Sequence, residues 1–307
     1  MSVSQSGKRM LLLGAGFSKN WGGRLAKEVW ADVFTNSTVQ ARERVRQALL
    51  NERSFEGVMD DVLTGEDYDS EDLQAIIESV TKTFRRMDTL FMTKSINATR
   101  SRLNYGTLTS FLSKFSESVL FTLNQDTLLE RLLQYSLIAF DTPYVQRFDD
   151  AKIPDEQPAS SSQATSGNIS IVKLHGSHTW SNSEGVPVMV LGISKSQRIA
   201  GSWLLTEYKK TFEEALYSGG VRLLVMGYSF GDKHVNEIIA TAASHHQCRI
   251  FVWNPNHPLD MLQEPKQREI LGGLMGWEPR LIDEVMPAIG QIQTPDDPNE
   301  IFPEFFN

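Results

Sequence analysis

The sequence predicts an α/β fold in which helices cover both faces of a parallel sheet. Short apolar runs of four to six residues, typical of buried strands, alternate with segments whose apolar residues recur at helical spacing. The predicted strands are Met10–Leu13, Val119–Leu123, Ile169–Leu174, Val221–Met226 and Arg249–Trp253. Each run ends at a glycine or a polar cluster, and open sheets of this Rossmann-like kind bind ligands at those ends.

Between the strands the sequence predicts helices, an insertion and a loop. Charged residues interleaved with apolar ones from about 35 to 105 indicate a helical insertion without strand alternation. Trp203–Tyr217 is amphipathic and ends at two glycines, as helices often do. The segment Asp149–Asn168 is rich in Pro, Ser, Gln and Asp, which predicts a mobile surface loop. We expect a single catalytic domain over residues 1–307.

Composition narrows the classes of function. A formal net charge of -8 argues against direct nucleic-acid binding, because phosphate contacts require a basic face. The single cysteine, Cys248, excludes intrachain disulfides and multi-cysteine zinc cages. The apolar run at Met10–Leu13 is too short for a signal sequence, and no later run reaches the ~18 residues of a membrane span. We therefore expect a cytoplasmic protein without membrane contacts.

The first strand ends in a glycine turn formed by Gly14, Ala15, Gly16, Phe17 and Ser18. Glycines between a strand and a helix let backbone N–H groups approach a pyrophosphate. The dinucleotide fingerprint is incomplete, because Lys19 stands where its third glycine belongs and no second strand ends in an acid. Hydride transfer is therefore disfavoured, and a tight turn without a ligand remains an alternative.

Polar clusters follow the second and third predicted strands. Asn124 and Asp126, which follow Thr122, can both face a ligand. An Asx turn or a helix cap is the alternative, and for Asp126 capping explains the residue equally well. His175 follows a buried strand, and an imidazole there suits a general base. The alternative is a partly buried histidine held by backbone atoms. The other histidines show no metal-ligand spacing, and we expect them at the surface.

Two further motifs follow the late strands. Gly227, Ser229 and Gly231 match the nucleophile elbow of α/β-hydrolases, but that fold requires an acid and then a histidine at later strand ends. The next strand ends at Asn254 instead of an acid, and no histidine follows His257, so a serine-hydrolase triad is disfavoured. Ser229 is instead expected to donate a hydrogen bond to a nucleotide, while Asp232 caps the next helix. Asn254 can contact an adenosine ribose or simply form an Asn-Pro loop.

Taken together and in this order, these motifs resemble those of the sirtuin superfamily. The residues that carry the resemblance are Gly14–Ser18, Thr122–Asp126, His175–Gly176, Gly227–Phe230 and Asn254. Sirtuin deacetylases carry a module with four zinc-binding cysteines, which this chain cannot form. The similarity is greatest to the zinc-less sirtuin-like domains of bacterial antiphage systems, which hydrolyse NAD⁺.

The resemblance implies an NAD⁺ glycohydrolase that needs no metal and depletes NAD⁺ as the effector of abortive infection. Asn124 and His175 become the catalytic pair. The implied NAD⁺-binding residues are Gly14, Ala15, Gly16, Phe17, Ser18, Thr122, Asp126, Gly227, Ser229, Phe230 and Asn254. A homo-oligomer or a separate sensing subunit is expected to control the activity. The alternatives are a non-catalytic sensor of NAD⁺ or ADP-ribose and a zinc-less deacylase.

Overall fold

The fold is known from a computed structural model. It describes residues 8–19, 22–51, 55–65, 67–94, 111–112, 114–115, 118–158, 168–192, 194–254, 274–278 and 305. Within these ranges, none of the helices combines the length and the apolar character needed to cross a bilayer.

The described strands form two sheets. In chain order they are β1 (Arg9–Leu13), β2 (Val119–Thr122), β3 (Phe140–Asp141), β4 (Ala151–Lys152), β5 (Ile169–Lys173), β6 (Gly176–Ser181), β7 (Pro187–Met189), β8 (Arg222–Met226), β9 (Arg249–Trp253) and β10 (Leu274–Glu278). The larger sheet is parallel throughout, in the order β10-β9-β8-β1-β2-β5-β3. The smaller sheet has the order β4-β6-β7.

The described helices surround the larger sheet and extend from it. They are α1 (Ala15–Lys19), α2 (Ala26–Phe34), α3 (Ser37–Gln40), α4 (Glu43–Asn51), α5 (Phe55–Thr64), α6 (Ser70–Lys94), α7 (Leu128–Tyr135), α8 (Lys195–Ala200), α9 (Trp203–Tyr217) and α10 (Lys233–His245). The Rossmann-like α/β fold predicted from the sequence is confirmed.

The side chains of the larger sheet alternate between two apolar cores. Leu12 on β1 packs into a core that contains α9 and α10, whereas its neighbours Leu11 and Leu13 pack into a core that contains α7. Successive residues of a strand point to opposite faces, so a strand between two cores is rich in apolar residues at successive positions. This is why unbroken apolar runs, rather than alternating ones, mark the strands of this chain.

Helices α2 to α6 form the insertion that the sequence predicts. They have their own apolar core, with Val33, Val45 and Val58 among its fully buried members, and they reach the smaller sheet through Met189 and Leu191. The insertion is helical from Ala26 to Lys94 apart from short turns and the undescribed residues 52–54 and 66. Residues 95–105 of the predicted insertion lie outside the described part of the chain.

The prediction of an irregular loop at Asp149–Asn168 is wrong for its first residues. Ala151–Lys152 is strand β4, which pairs with β6, and Ile153 is 3% exposed. Ile153 also donates its backbone N–H to the Ser181 carbonyl at 2.7 Å. These apolar side chains are buried because β6 and β7 form a hairpin that the sequence analysis did not predict. Residues 159–167 lie outside the described part.

The register of the larger sheet aligns the ends of five strands. Leu13 lies beside Thr122 on one side and Met226 on the other, and these two lie beside Lys173 and Trp253. This row crosses the sheet at one level. The predicted motifs all start within four residues of this row, so the fold brings them to a single edge.

Candidate functional site

Two glycine turns interlock at the centre of this edge, the turn after β1 that begins at Gly14 and the turn after β8 that begins at Gly227. The Gly14 N–H donates to the Met226 carbonyl at 3.0 Å, and the Gly16 N–H donates to the Gly227 carbonyl at 2.9 Å. A Cβ on Gly14 would lie 2.5 Å from the Gly227 oxygen, and a Cβ on Gly227 would lie 2.3 Å from the Phe17 nitrogen. Gly227 also has a φ of +63°, a conformation that favours glycine. Both glycines are therefore required by the contact between the turns.

This contact uses most of the amides that the sequence analysis assigned to a pyrophosphate. Besides Gly14 and Gly16, Phe17 donates its N–H to the Gly14 carbonyl at 2.9 Å. Gly16, Phe17 and Ser18 are buried, whereas Ala15 is exposed at the start of α1. Binding of a pyrophosphate by Gly16 or Phe17 thus requires these internal hydrogen bonds to rearrange, and Ala15 presents the accessible part of the turn.

Asn124 joins β2 to the glycine turn. Its side-chain amide Nδ2 donates to the Gly14 carbonyl at 3.0 Å and to Ser18 Oγ at 2.8 Å. Its backbone N–H donates to Thr122 Oγ1 at 3.1 Å. Thr122 is 1% exposed, so it supports Asn124 from within the sheet. The structure therefore places the predicted catalytic amide in direct contact with the predicted phosphate-binding turn.

Asp126 lies beneath Ser18. Its Oδ1 accepts from Ser18 Oγ at 3.1 Å and from the Leu128 N–H at 3.1 Å, the second of which is an Asx-type turn leading into α7. Burial raises the pKa of Asp126 to about 6, against the opposing effect of the Lys173 ammonium. Asp126 is thus both a turn residue and a partner of the glycine turn, and the two readings of its motif do not exclude each other.

His175 follows β5 and meets a second histidine. Its Nε2 lies 3.1 Å from Nε2 of His234 in the first turn of α10, and both side chains are buried. Burial lowers the pKa of His175 to about 3 and also lowers that of His234. Both imidazoles are therefore neutral at neutral pH, and the same burial makes His175 a weak base as long as the site stays closed.

Asp232 completes this group at the helix start where the sequence predicts it, but its side chain has a different partner. It occupies the N-cap position of α10, but its side chain makes no capping hydrogen bond. The carboxylate instead pairs with Lys195 of α8, which also contacts Glu56 at 2.7 Å. Burial raises the pKa of Asp232, but the charge and the hydrogen bond of the Lys195 ammonium outweigh it and hold the pKa below its usual range.

The late motif divides into exposed and buried residues. Ser229 is exposed, in keeping with a contact to a ligand, whereas Phe230 is 2% exposed and has a φ of +57°. Asn254 is buried, and its Nδ2 donates to the Tyr228 carbonyl at 2.7 Å. Phe230 and Asn254 therefore shape the turn, and Ser229 is the residue that reaches solvent.

The prediction of surface histidines is wrong for His178 as well as His234. His178 is 4% exposed; its Nδ1 donates to the Gln125 carbonyl at 2.9 Å, and its Nε2 lies 3.2 Å from an Asp88 carboxylate oxygen. It borders a cavity of about 680 Å³ between α6, α7 and the smaller sheet, which Arg85 and Arg131 also line. None of the predicted site residues lines this cavity.

The sequence analysis missed His234, Asp232 and Lys195 as neighbours of His175. A signal for two of them was present, because Asp232 and His234 directly follow the Gly227–Gly231 motif. Lys195 offers no comparable signal, since it follows a poorly periodic segment and approaches Asp232 only in the folded chain.

Comparison with known proteins agrees with this geometry. The sequence profile of a family described as a SIR2-like domain matches residues 118–272, just over half of the chain. No curated protein matches the chain. The matched segment contains Asn124, His175, Gly227–Phe230 and Asn254 but begins after the glycine turn at Gly14. SIR2-like domains use NAD⁺ and are typically NAD-dependent enzymes. The chain belongs to the family of SIR2-like domains.

Proposed function

We propose that this protein is an NAD⁺ glycohydrolase that converts NAD⁺ and water into nicotinamide, ADP-ribose and a proton. The observation that carries the proposal is the pairing of Asn124 and His175. Thr122 and Lys173 are register partners on β2 and β5, and Asn124 and His175 each follow two residues later. An amide bonded to the glycine turn and a neutral imidazole thus leave adjacent strands at the same level.

The chemistry requires positioning more than acid catalysis. The bond between nicotinamide and ribose breaks through an oxocarbenium-like transition state, and nicotinamide leaves as a neutral molecule. A general acid is therefore not needed. The useful contributions are a rigidly held ribose, an oriented water and a base that takes one proton. Asn124 would orient the ribose hydroxyls and the water. His175 would accept the proton once the site opens and the burial that lowers its pKa is relieved.

Of the remaining predicted residues, the exposed ones would contact the substrate and the buried ones would support the pocket. Ala15 and Ser229 are exposed at the edge of the sheet and would contact the phosphates or a ribose. Asp126 would stiffen the nicotinamide pocket through Ser18, which it bonds at 3.1 Å. Asn124 and His175 are 8% and 4% exposed, so substrate binding requires the contacts over them to open. That requirement supports an activity that a signal or partner switches on.

Two alternatives are less well supported. A sensor that only binds NAD⁺ has no need of a neutral histidine beside the ribose-orienting amide. A zinc-less deacylase needs an open groove that leads an acyl-lysine side chain to the histidine. His175 is instead in contact with His234 at 3.1 Å, and this contact favours water over a peptide as the second substrate.

The biological setting is proposed from the resemblance to antiphage sirtuin-like domains. An NAD⁺ hydrolase that is always active would kill its host, so the activity must be controlled. We propose that the protein is the effector of abortive infection and that self-association or a sensing subunit controls it. The interlocked, buried site described here supports control by a structural change.

The test is nicotinamide release from NAD⁺ by the purified protein, measured by chromatography with and without candidate activators. Asn124→Ala and His175→Ala should each lower turnover by about 100-fold or more, the range for loss of a positioned catalytic group. Asn51→Ala and His245→Ala change exposed residues of the same types and should leave turnover unchanged.

Melting temperatures of all four variants show whether the fold survives. Normal turnover in a folded Asn124→Ala or His175→Ala variant refutes the roles given to these residues. Tight NAD⁺ binding without nicotinamide release under every activating condition refutes hydrolysis and favours the sensor. Release of nicotinamide that depends on an acylated peptide favours the deacylase.

A further inference from the structure

Three potential metal ligands converge at His175, one member of the proposed catalytic pair. His175 follows β5, His234 lies in the first turn of α10, and Asp232 immediately precedes that helix. One nitrogen of each histidine and one carboxylate oxygen all lie within 4.8 Å of one another. Among the described residues, no other group of three histidine, cysteine or acidic side chains meets this condition. The cluster joins two distant parts of the chain.

His175 is held in the way that metal-binding histidines commonly are. Their Nε2 atoms lie 3.1 Å apart, and a backbone hydrogen bond to Leu123 also acts on the His175 imidazole. Because Nε2 faces His234, that bond falls to Nδ1, which then carries the proton and leaves a lone pair on Nε2. Metal-binding histidines are commonly held in this way, with the second ring nitrogen bonded to a carbonyl or carboxylate.

The backbone at Asp232 is held rigidly, and its carboxylate points away from the N–H groups that a helix cap would contact. Its backbone N–H donates to Tyr228 Oη at 2.9 Å, and Tyr228 Oη donates to Asn236 Oδ1 at 2.9 Å. The Asn236 amide in turn donates to the Phe230 carbonyl at 2.6 Å. The loop is thus fixed by buried bonds, while the carboxylate turns away from the helix N–H groups towards the histidines.

We propose that His175, His234 and Asp232 bind a divalent transition-metal ion, with Zn²⁺ as the best match. Two imidazole nitrogens and a carboxylate are a usual zinc ligand set that leaves a fourth position for water. Nitrogens at about 2.0–2.1 Å from one zinc in tetrahedral geometry lie about 3.3 Å apart. The observed 3.1 Å separation needs to change by only a few tenths of an ångström.

The ion would take the place of the Nε2 proton that His234 donates to His175, and His234 would carry its single proton on Nδ1 instead. It would then occupy the lone pair of His175 that the proposed hydrolysis uses as a base. We infer that the bound ion inhibits NAD⁺ cleavage reversibly; this part rests on the proposed function, whereas binding of the metal does not.

Lys195 limits the affinity of this site. Its ammonium contacts one oxygen of the Asp232 carboxylate, and Glu56 holds it there from the other side. Its positive charge opposes a second cation nearby and competes for the carboxylate. Lys195→Met should therefore tighten Zn²⁺ binding by about tenfold, since a unit charge a few ångströms away is removed. A site formed only by surface groups would not respond to this change.

Binding is tested on tag-free, chelator-treated protein by calorimetric titration with Zn²⁺ and by absorption spectroscopy with Co²⁺. We expect one Zn²⁺ per chain and the visible bands of a tetrahedral Co²⁺ site. His234→Gln preserves size and the hydrogen bond to His175 but should weaken Zn²⁺ binding at least tenfold. His245→Ala removes an exposed histidine and should have no effect. Equal binding by the wild type and His234→Gln, or no binding by the wild type, overturns the proposal.

Inhibition is tested separately by measuring nicotinamide release during the same titration. Activity should fall with a midpoint at the measured dissociation constant for Zn²⁺ and return on addition of chelator. Asn124→Ala should keep full Zn²⁺ binding although it lacks activity, so failure of the proposed function leaves the metal result interpretable. Stimulation by Zn²⁺ overturns the inhibitory part and assigns His175 to a metal-bound water. Unchanged activity at saturating Zn²⁺ overturns it too.

Discussion

Replacement of Asp126 by asparagine should stabilise the ligand-free protein in a pH-dependent manner. Burial raises the pKa of this carboxyl from 3.8 to about 6, so the folded chain binds a proton more tightly than the unfolded chain does. The free energy of unfolding therefore decreases as pH rises from about 4 to about 6, and it is level above that range. At about 1.4 kcal/mol per pKa unit, the carboxylate costs about 3 kcal/mol at pH 7.5.

The neutral amide of the Asp126→Asn variant would avoid this cost and keep the useful contacts. Its oxygen can still accept from Ser18 Oγ and from the Leu128 N–H, the two bonds that Oδ1 accepts now. Lys173 retains its ion pair with Glu130 at 2.7 Å. The variant should thus match the wild type near pH 4 and exceed its free energy of unfolding by up to about 3 kcal/mol at pH 7.5.

Urea denaturation at a series of pH values measures this difference directly. Asp61→Asn, which changes an exposed aspartate, provides the matched control and should show a small difference that does not follow the same pH range. A constant difference between Asp126→Asn and the wild type from pH 4.5 to 7.5 would refute the reasoning. A variant that is less stable than the wild type at pH 7.5 would do so as well.

Two further substitutions test the framework around the site. Gly227→Ala should lower the free energy of unfolding by at least about 3 kcal/mol, because its Cβ would overlap Phe17 backbone atoms. The control is Gly219→Ala, at a φ of +84° with open space around it, which should cost only about 1 kcal/mol. Equal losses in denaturation experiments would contradict the interlocking of the turns. Lys173→Met should cost about 3–5 kcal/mol, because it leaves Glu130 charged and fully buried. Adding Glu130→Gln should recover part of that loss, and a loss below about 1 kcal/mol for Lys173→Met alone would argue against a buried ion pair.

Five of the seven strands of the larger sheet could be predicted because they are buried on both faces, whereas β3 and β10 were not predicted. Arg249–Trp253 was predicted with the observed bounds, and the other four strands differ by one residue at one end. Strands buried on both faces are rich in apolar residues at successive positions, and short apolar runs reflect this directly. The Trp203–Tyr217 helix was likewise predicted with its observed bounds, since two glycines end it.

The smaller sheet could not be predicted from the same signals. Its strands are two to six residues long, and β4 contributes only Ala151 and Lys152 to the pairing. A two-residue strand has no periodicity, and the Pro, Ser and Gln residues around it indicate a loop. This segment is ordered by its pairing with β6, which is distant in sequence and comes next to β4 only when the chain folds.

The position of the predicted residues at one edge of the sheet could be foreseen, while the side chains that pack against them could not. The residues that end the strands are recognisable, because parallel strands bring their ends to one edge of a sheet. Burial of His234 and His178 is decided by partners distant in sequence, such as His175 and Asp88. The residues next to a histidine in the sequence do not show whether such a distant partner exists. Both histidines were therefore predicted to lie at the surface.

The interlocked turns constrain when the site can form during synthesis. Strand β1 lies between β8 and β2, and the amides of Gly14 and Gly16 depend on carbonyl groups of Met226 and Gly227. The ribosome makes those carbonyl groups long after the glycine turn has emerged. A nascent chain that stops before β8 has an unpaired edge on β1 and no partner for the turn. Whatever this edge of the sheet does, it cannot begin until most of the polypeptide has been translated.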